Sequence, residues 1–89
     1  MDILYAKKFD SDLVSISNEP KIKKRLLDLI EQIKKADVLS EISGVKKIQG
    51  YSEYYRIRLG DYRLGIKLAD NQIEMIRFLH RKDIYRRFP

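Results

Sequence analysis

Apolar residues recur at helical spacing in the first half of the chain. One stripe repeats at i, i+4, i+7, i+8 and i+11 and consists of Ile22, Leu26, Leu29, Ile30 and Ile33. This stripe predicts a helix that is capped by Asn18, has Pro20 in its first turn and ends near residues 36–37. Ahead of it, we expect a strand over residues 2–6 and a shorter helix over residues 10–17 that is capped by its first residue, an aspartate.

After residue 44 the apolar spacing changes to a period of two, which is typical of strands. Four strands are predicted, over residues 45–49, 54–59, 62–68 and 72–79. Short turns at Gly60-Asp61 and Asp70-Asn71 join the last three of them. The last strand is the most uniformly apolar, so we expect it to lie inside the sheet with both faces covered.

The order of strand, helix, helix and further strands indicates an α+β fold. The sheet is predicted to be antiparallel, with the N-terminal strand and the helical hairpin packed on it. A chain of 89 residues suffices for one domain, over 1–89, and not for two. No element is predicted for the basic tail that starts at residue 80.

The strand pattern places three arginines on one side of the sheet. Arg56 and Arg58 alternate with Ile57, and Arg63 precedes Leu64. Because successive side chains of a strand point to opposite faces, the arginines lie opposite the apolar positions. The apolar positions must pack on the helical stripe, so the arginines are predicted on an open face.

The positive charge is concentrated in the second half of the chain. Lys and Arg number 19 against 13 Asp and Glu, for a net charge of +6. Residues 1–43 hold eight of each sign, whereas residues 44–89 hold eleven basic and five acidic side chains and five of the six tyrosines. Basic side chains among aromatics suit a polyanion with stackable bases. A solvated basic surface would have the same composition, and the two interpretations stay open at this point.

Several classes of function are excluded by what the sequence lacks. The chain has no cysteine and one histidine, His80, which excludes disulfides, thiol catalysis, Cys-ligated zinc and a multi-histidine metal site. No apolar run approaches the roughly 20 residues of a membrane span. Residues 1–8 lack the pattern of a signal peptide. These observations predict a cytoplasmic protein with no metal, no cofactor and no membrane contact.

The remaining side chains suit phosphate chemistry. Guanidinium groups bind phosphate in a bidentate manner and stabilise an anionic transition state. His80 can transfer a proton near neutral pH. This combination fits RNA cleavage by the substrate's own 2′-hydroxyl, which needs neither a metal nor a protein nucleophile.

Three stretches, over residues 50–59, 61–64 and 80–85, together resemble the RelE/ParE superfamily of type II toxins. With the helical hairpin and the overall length, the resemblance covers nearly the whole chain. It implies a compact sheet-and-helix fold and a toxin that a cognate antitoxin restrains. Its RelE branch implies ribosome-dependent cleavage of mRNA, in which the 2′-hydroxyl attacks and leaves a 2′,3′-cyclic phosphate and a 5′-hydroxyl.

The resemblance also implies roles for individual residues. The positions that match RelE are Arg56 and Arg58 on the middle strand, Arg63 on the next, Arg81 at the end of the last, and Tyr85 beyond it, whose ring is expected to stack on a base. RelE has lysines at the first two positions. Since arginine does not release its proton, His80 is the expected general acid or base here.

The leading hypothesis is an mRNA endonuclease that acts on the ribosome with bound mRNA. Its predicted catalytic residues are Arg63, His80, Arg81 and Tyr85, and its predicted RNA contacts are Lys46, Lys47, Arg56, Arg58, Arg86 and Arg87. A ParE-type inhibitor of DNA gyrase with the same fold is the second hypothesis, and a basic interaction module is the third. The expected protein partner is an antitoxin that contacts the surface around Arg63 and Arg81.

Overall fold

The computed structural model describes all 89 residues as one five-stranded sheet with helices on both faces. The elements in chain order are β1 (Asp2–Tyr5), α1 (Lys7–Ser15), α2 (Pro20–Lys35), a single 3-10 turn (Leu39–Glu41), β2 (Val45–Lys47), β3 (Tyr54–Leu59), β4 (Tyr62–Ala69), β5 (Gln72–His80) and α3 (Arg81–Arg87). The predicted α+β class is confirmed.

The sheet is mixed, which corrects the prediction of an antiparallel sheet. Its strand order is β1-β5-β4-β3-β2. β2 to β5 pair antiparallel through short connections, but β1 pairs parallel to β5. No hairpin turn joins β1 to its neighbour, so no turn signal in the sequence fixes its direction. β5 lies inside the sheet, as predicted.

The main core lies between the helical hairpin and one face of the sheet. The predicted stripe of α2 is confirmed, since Leu26, Leu29, Ile30 and Ile33 are buried. They pack with Phe9 of α1 and with residues of the sheet: Ile57, Leu64, Ile66, Ile73, Met75 and Phe78. Burial of this apolar area is the dominant favourable contribution to folding.

Both helices of the hairpin begin at other residues than predicted. α1 starts at Lys7 and ends at Ser15, so it includes Phe9, which is fully buried. α2 starts at Pro20, and neither helix has a side-chain cap at its start. The start of α1 therefore follows the burial of Phe9 rather than capping by Asp10, and α2 begins at its proline without the predicted cap from Asn18.

The opposite face of the sheet is partly covered by α3, which corrects the prediction of an open face. Leu79, Ile84 and Phe88 form a second, smaller cluster there. The tail has only two apolar anchors, Ile84 and Phe88, which are four residues apart. They do not extend into a longer periodic pattern. Contact with the sheet is what stabilises so short a helix.

A buried ion pair that sequence reasoning did not predict links α1 to β5. Asp12 accepts two hydrogen bonds from the Arg77 guanidinium, at 2.9 Å each, and a third from the backbone N–H of Phe78 at 2.9 Å. Both side chains are only 8% exposed. The hydrogen bonds from Arg77 to Asp12 raise the pKa of Arg77.

β5 contains one extra residue opposite β4. Gly65 pairs with Arg77, whereas the next residue, Ile66, pairs with Met75, so Ile76 has no partner on β4. Such a β-bulge shifts the strand by one residue and turns every later side chain to the other face. The bulge therefore decides on which face the C-terminal end of β5 displays its residues.

Replacement of Gly65 by alanine is expected to lower the free energy of unfolding by about 1–3 kcal/mol, the usual cost of overpacking. A Cβ at this position would lie 2.8 Å from three ring atoms of Phe88. Urea denaturation of Gly65→Ala and of the double variant Gly65→Ala/Phe88→Leu tests this. The smaller side chain should reduce the effect of the alanine, and an unchanged midpoint in the single variant would show that the ring moves aside freely.

Candidate functional site

A cleft lined almost entirely by cationic side chains lies at the β2–β3–β4 end of the sheet. We call it the cationic cleft; its volume is about 270 Å³ and its lining is Gly44, Lys46, Arg56, Arg58, Arg63 and Tyr85. Strand register brings these residues together, because Lys46 pairs with Arg56 and Arg58 pairs with Arg63. Cross-strand partners share a face of the sheet.

The four cations of the cleft have no carboxylate among them. The ion pairs of the structure involve Lys34, Arg77 and Arg86, and none of the cleft cations. Two like-charged residues directly opposite each other destabilise a sheet, and this cleft contains two such pairs. Repulsion between these side chains lowers the stability of the sheet, and a bound polyanion relieves that repulsion.

Two of the arginines are held in place by other groups. Arg63 donates from Nη1 to the carbonyl oxygens of Gly60, at 2.8 Å, and Tyr62, at 2.9 Å. The guanidinium carbon of Arg56 lies 4.5 Å from the centroid of the Tyr85 ring, a cation–π contact. Tyr85 itself is 63% exposed. The cleft thus presents oriented guanidinium groups beside an accessible aromatic ring.

A second cleft adjoins the first on the side of α3. We call it the aromatic cleft; its volume is about 280 Å³ and its lining is Ile48, Tyr51, Arg56, Ile84, Tyr85, Arg86, Phe88 and Pro89. Arg56 and Tyr85 line both clefts. Sequence reasoning missed Tyr51 and Phe88 as site residues, although the four-residue spacing of Ile84 and Phe88 was a signal for the helix that builds this cleft.

His80 does not lie beside the arginines, contrary to expectation. Its Nδ1 accepts a hydrogen bond of 3.2 Å from the Lys82 N–H and so caps α3. Its ring contacts Tyr62 edge to face, with centroids 5.5 Å apart, and Tyr62 stacks on Phe78 of the main core. The physical reason is the bulge in β5, which turns His80 to the face of the helical hairpin.

Three other predicted residues also lie outside both clefts. Lys47 pairs with Tyr55 and therefore faces the hairpin side, opposite to Lys46. Arg81 is the exposed first residue of α3, and its backbone N–H donates to the backbone carbonyl oxygen of Asp61. Arg87 lies beside Arg77 and α1, in a separate polar cavity. Five of the ten predicted residues line the cationic cleft, and Arg86 lines the aromatic cleft.

Comparison with known proteins identifies the family. Residues 3–85 match the family described as the ParE toxin of the type II toxin-antitoxin system, parDE. The chain is 42% identical over 90 residues to Toxin RelE3 of Methanocaldococcus jannaschii, and the alignment covers 100% of both chains. The protein belongs to the RelE/ParE family of type II toxins.

Solved structures of this family have the same fold. The toxin matches the crystal structure of a RelB-RelE antitoxin-toxin complex from Methanococcus jannaschii, with a TM-score of 0.81 and 42% identity over 97% of this chain and 99% of that chain. The YoeB dimer from Staphylococcus aureus matches with a TM-score of 0.73 and 22% identity over 90% and 95% of the two chains, which shows the fold alone. None of the toxin's helices combines the length and the apolar composition that a membrane span requires.

The toxin is expected to lose stability as the pH rises from 10 to 12. The hydrogen bond of 2.6 Å from the Tyr62 hydroxyl to Glu19 raises the pKa of Tyr62 from 10.0 to about 12, and burial and the charges of Glu19 and Asp61 act in the same direction. Because the pKa is higher in the folded state, the stabilisation that the Tyr62 hydroxyl provides is complete below pH 10. It is lost as the pH rises to about 12. Urea denaturation between pH 9 and 12 should show a smaller pH dependence for Tyr62→Phe. Identical slopes for the two proteins would contradict the assignment.

Proposed function

We propose that this toxin is an endoribonuclease that cleaves mRNA on the ribosome. The observation that carries the proposal is the pair of like-charged cross-strand contacts, Lys46 with Arg56 and Arg58 with Arg63, in one cleft without a carboxylate. Such a concentration of charge binds RNA phosphates and stabilises the negative charge that develops during phosphoryl transfer. The resemblance to the RelE branch and the relative named Toxin RelE3 favour the same activity.

The chemistry proposed for this site needs no nucleophile from the protein. The 2′-oxygen of the RNA attacks the neighbouring phosphorus, the P–O2′ bond forms and the P–O5′ bond breaks. The 2′-hydroxyl gives up one proton, and the leaving 5′-oxygen takes up one proton. The products are a 2′,3′-cyclic phosphate and a 5′-hydroxyl, so no water enters this step.

The geometry supports a division of roles within the cationic cleft. Arg63 and Arg58 hold the non-bridging phosphate oxygens and stabilise their developing charge. Guanidinium groups do not exchange protons, so Lys46 and Tyr85 are the lining side chains that can do so. We therefore assign proton transfer to this pair and structural capping of α3 to His80.

Inhibition of DNA gyrase is the second candidate function. The description of the matched family names the ParE toxin. A basic cleft also suits contact with an acidic protein surface. This function needs binding alone and makes no use of groups oriented around a phosphate. The two candidates differ in whether RNA is cut.

Mapping of mRNA 5′ ends by primer extension after induced expression tests the proposal directly. Discrete cuts within codons are expected, together with growth arrest. The antitoxin is the proposed natural partner, and its co-expression should prevent both effects. Growth arrest with intact mRNA and inhibited supercoiling by purified gyrase would instead favour the ParE-type function.

A further inference from the structure

The aromatic cleft differs in chemistry from the cationic cleft that it adjoins. Apolar and aromatic side chains dominate its lining, whereas the first cleft is lined by cations. We propose that the aromatic cleft binds an unpaired nucleobase of the RNA strand whose phosphate lies in the cationic cleft, with Tyr51 as the stacking platform. This inference rests on the proposed function, because it requires RNA in the first cleft.

A tight turn presents Tyr51 to the cleft. The Tyr51 N–H donates to the carbonyl oxygen of Ile48 at 3.3 Å, which closes a β-turn over residues 48–51. Gly50, the third residue of this turn, has a φ of 87°, a conformation that favours glycine. The turn therefore fixes the backbone from which the Tyr51 ring projects.

Aromatic contacts orient Tyr51 and leave it accessible. Its ring meets Tyr54 at a centroid distance of 5.6 Å and an angle of 85°, and Tyr54 meets Phe88 at 5.8 Å and 77°. In such edge-to-face pairs Tyr54 covers at most one face of the Tyr51 ring. Since Tyr51 is 48% exposed, the ring offers a free face to a planar ligand.

The size and the charge of the cleft favour a nucleobase. Drug-sized ligands occupy pockets of about 300–1,000 Å³, so a cleft of about 280 Å³ suits a smaller group such as one base. Two arginines line it, Arg56 and Arg86, and no Asp or Glu side chain does. Arg86 is paired with Asp83 at 2.9 Å, so Arg56 carries the unpaired positive charge, which favours a segment of nucleic acid over a basic or neutral peptide. Stacking on an aromatic ring accepts any base, because every base has a π face.

Because the aromatic cleft adjoins the cationic cleft, we expect its base to belong to the RNA strand whose phosphate lies in the cationic cleft. Arg56 lines both clefts and contacts one face of Tyr85, so a phosphate held by Arg56 lies next to the aromatic cleft. A base attached to the adjacent sugar can then enter the second cleft. Tyr51 differs from Tyr85 in that no cation lies over its ring, which leaves a ring face to the base.

Fluorescence anisotropy at low ionic strength tests the inference. The probes are a labelled 2′-O-methyl trinucleotide, which cannot be cleaved, and three versions that each lack one base. The variants are Tyr51→Ala, Tyr51→Phe and the control Tyr5→Ala, since Tyr5 is 47% exposed but lies at another groove, between α1 and α2. Thermal melting of each variant checks folding.

Tyr51→Ala is expected to weaken binding of the intact strand about 5- to 150-fold, the range for loss of one base–aromatic stack. Tyr51→Phe and Tyr5→Ala should bind as the unaltered protein does. For one of the three abasic strands the effect of Tyr51→Ala should disappear, because the base that it contacts is already absent.

The outcomes separate this inference from the proposed function. If the unaltered protein binds the intact strand and Tyr51→Ala behaves like Tyr5→Ala, the base site is wrong and the RNA interface stands. If Tyr51→Ala weakens the antitoxin complex and not the RNA complex, the occupant is a protein and the inference is overturned. If no strand binds the unaltered protein while primer extension still maps cuts within codons, the base site is wrong and cleavage on the ribosome stands. If neither binding nor cuts are found, the RNA interface and this inference both fail.

Discussion

Arg63→Ala is expected to reduce the rate of mRNA cleavage on programmed ribosomes by about 10²–10³-fold, the usual effect of removing one oriented donor to a developing negative charge. Arg63 is held by two carbonyl oxygens, so its guanidinium is oriented before substrate binds. Single-turnover cleavage measures the chemical step, and ribosome binding is measured separately. Arg63→Lys should recover only part of the rate, because the ammonium lacks the planar fork.

Two control variants make this prediction specific. Lys47→Ala removes a charge from β2 on the face opposite to the cleft, and its cleavage rate should stay near normal. His80→Ala removes the cap of α3 and should lower stability while it leaves the rate near normal, because the imidazole lies against Tyr62. A fall of 10²–10⁴-fold in His80→Ala, which is typical of a lost general acid or base, would return proton transfer to His80.

Asp12→Ala is expected to lower the free energy of unfolding by about 3–5 kcal/mol, because it leaves the buried Arg77 guanidinium without its partner. That is a large part of the roughly 5–15 kcal/mol that stabilises a small domain. The Phe78 N–H loses its acceptor as well. Urea denaturation monitored by circular dichroism measures the effect.

The matched control for Asp12 lies on the same helix. Asp10 is exposed and unpaired, and Asp10→Ala should change the free energy of unfolding by no more than about 0.5 kcal/mol. The double variant Asp12→Leu/Arg77→Met should recover most of the loss, since an apolar pair of similar volume can replace a buried ion pair. Equal effects of Asp12→Ala and Asp10→Ala would show that the ion pair contributes nothing.

The cationic cleft is the part of the site that the sequence predicted best. The alternation in β3 and β4 and the short turn at residues 60–61 place Arg56, Arg58 and Arg63 on one face before any tertiary contact is considered. The same alternation places Lys46 of β2 on this face, opposite Arg56. These positions depend on the covalent geometry of neighbouring residues and on one tight turn, so a local pattern is enough to predict them.

The aromatic cleft was not predictable in the same way. It requires α3, which has seven residues and depends on contact of Ile84 and Phe88 with the sheet. The Phe88 ring fits against the sheet because Gly65 of β4 has no side chain. The helix leaves one sequence signal, the four-residue spacing of Ile84 and Phe88, which is too short to establish a period, and the contact with Gly65 leaves none.

The sequence by itself determined the α+β class, the buried stripe of α2 and the face that carries the arginines, because each follows from spacing between near neighbours. Only the tertiary structure decided the direction of β1, the position of α3 and the face of His80. The last depends on a single unpaired residue, Ile76, whose bulge reverses the side-chain alternation of β5. Such a shift is a property of how two strands pair along their whole length, and the order of residues in one strand does not encode it.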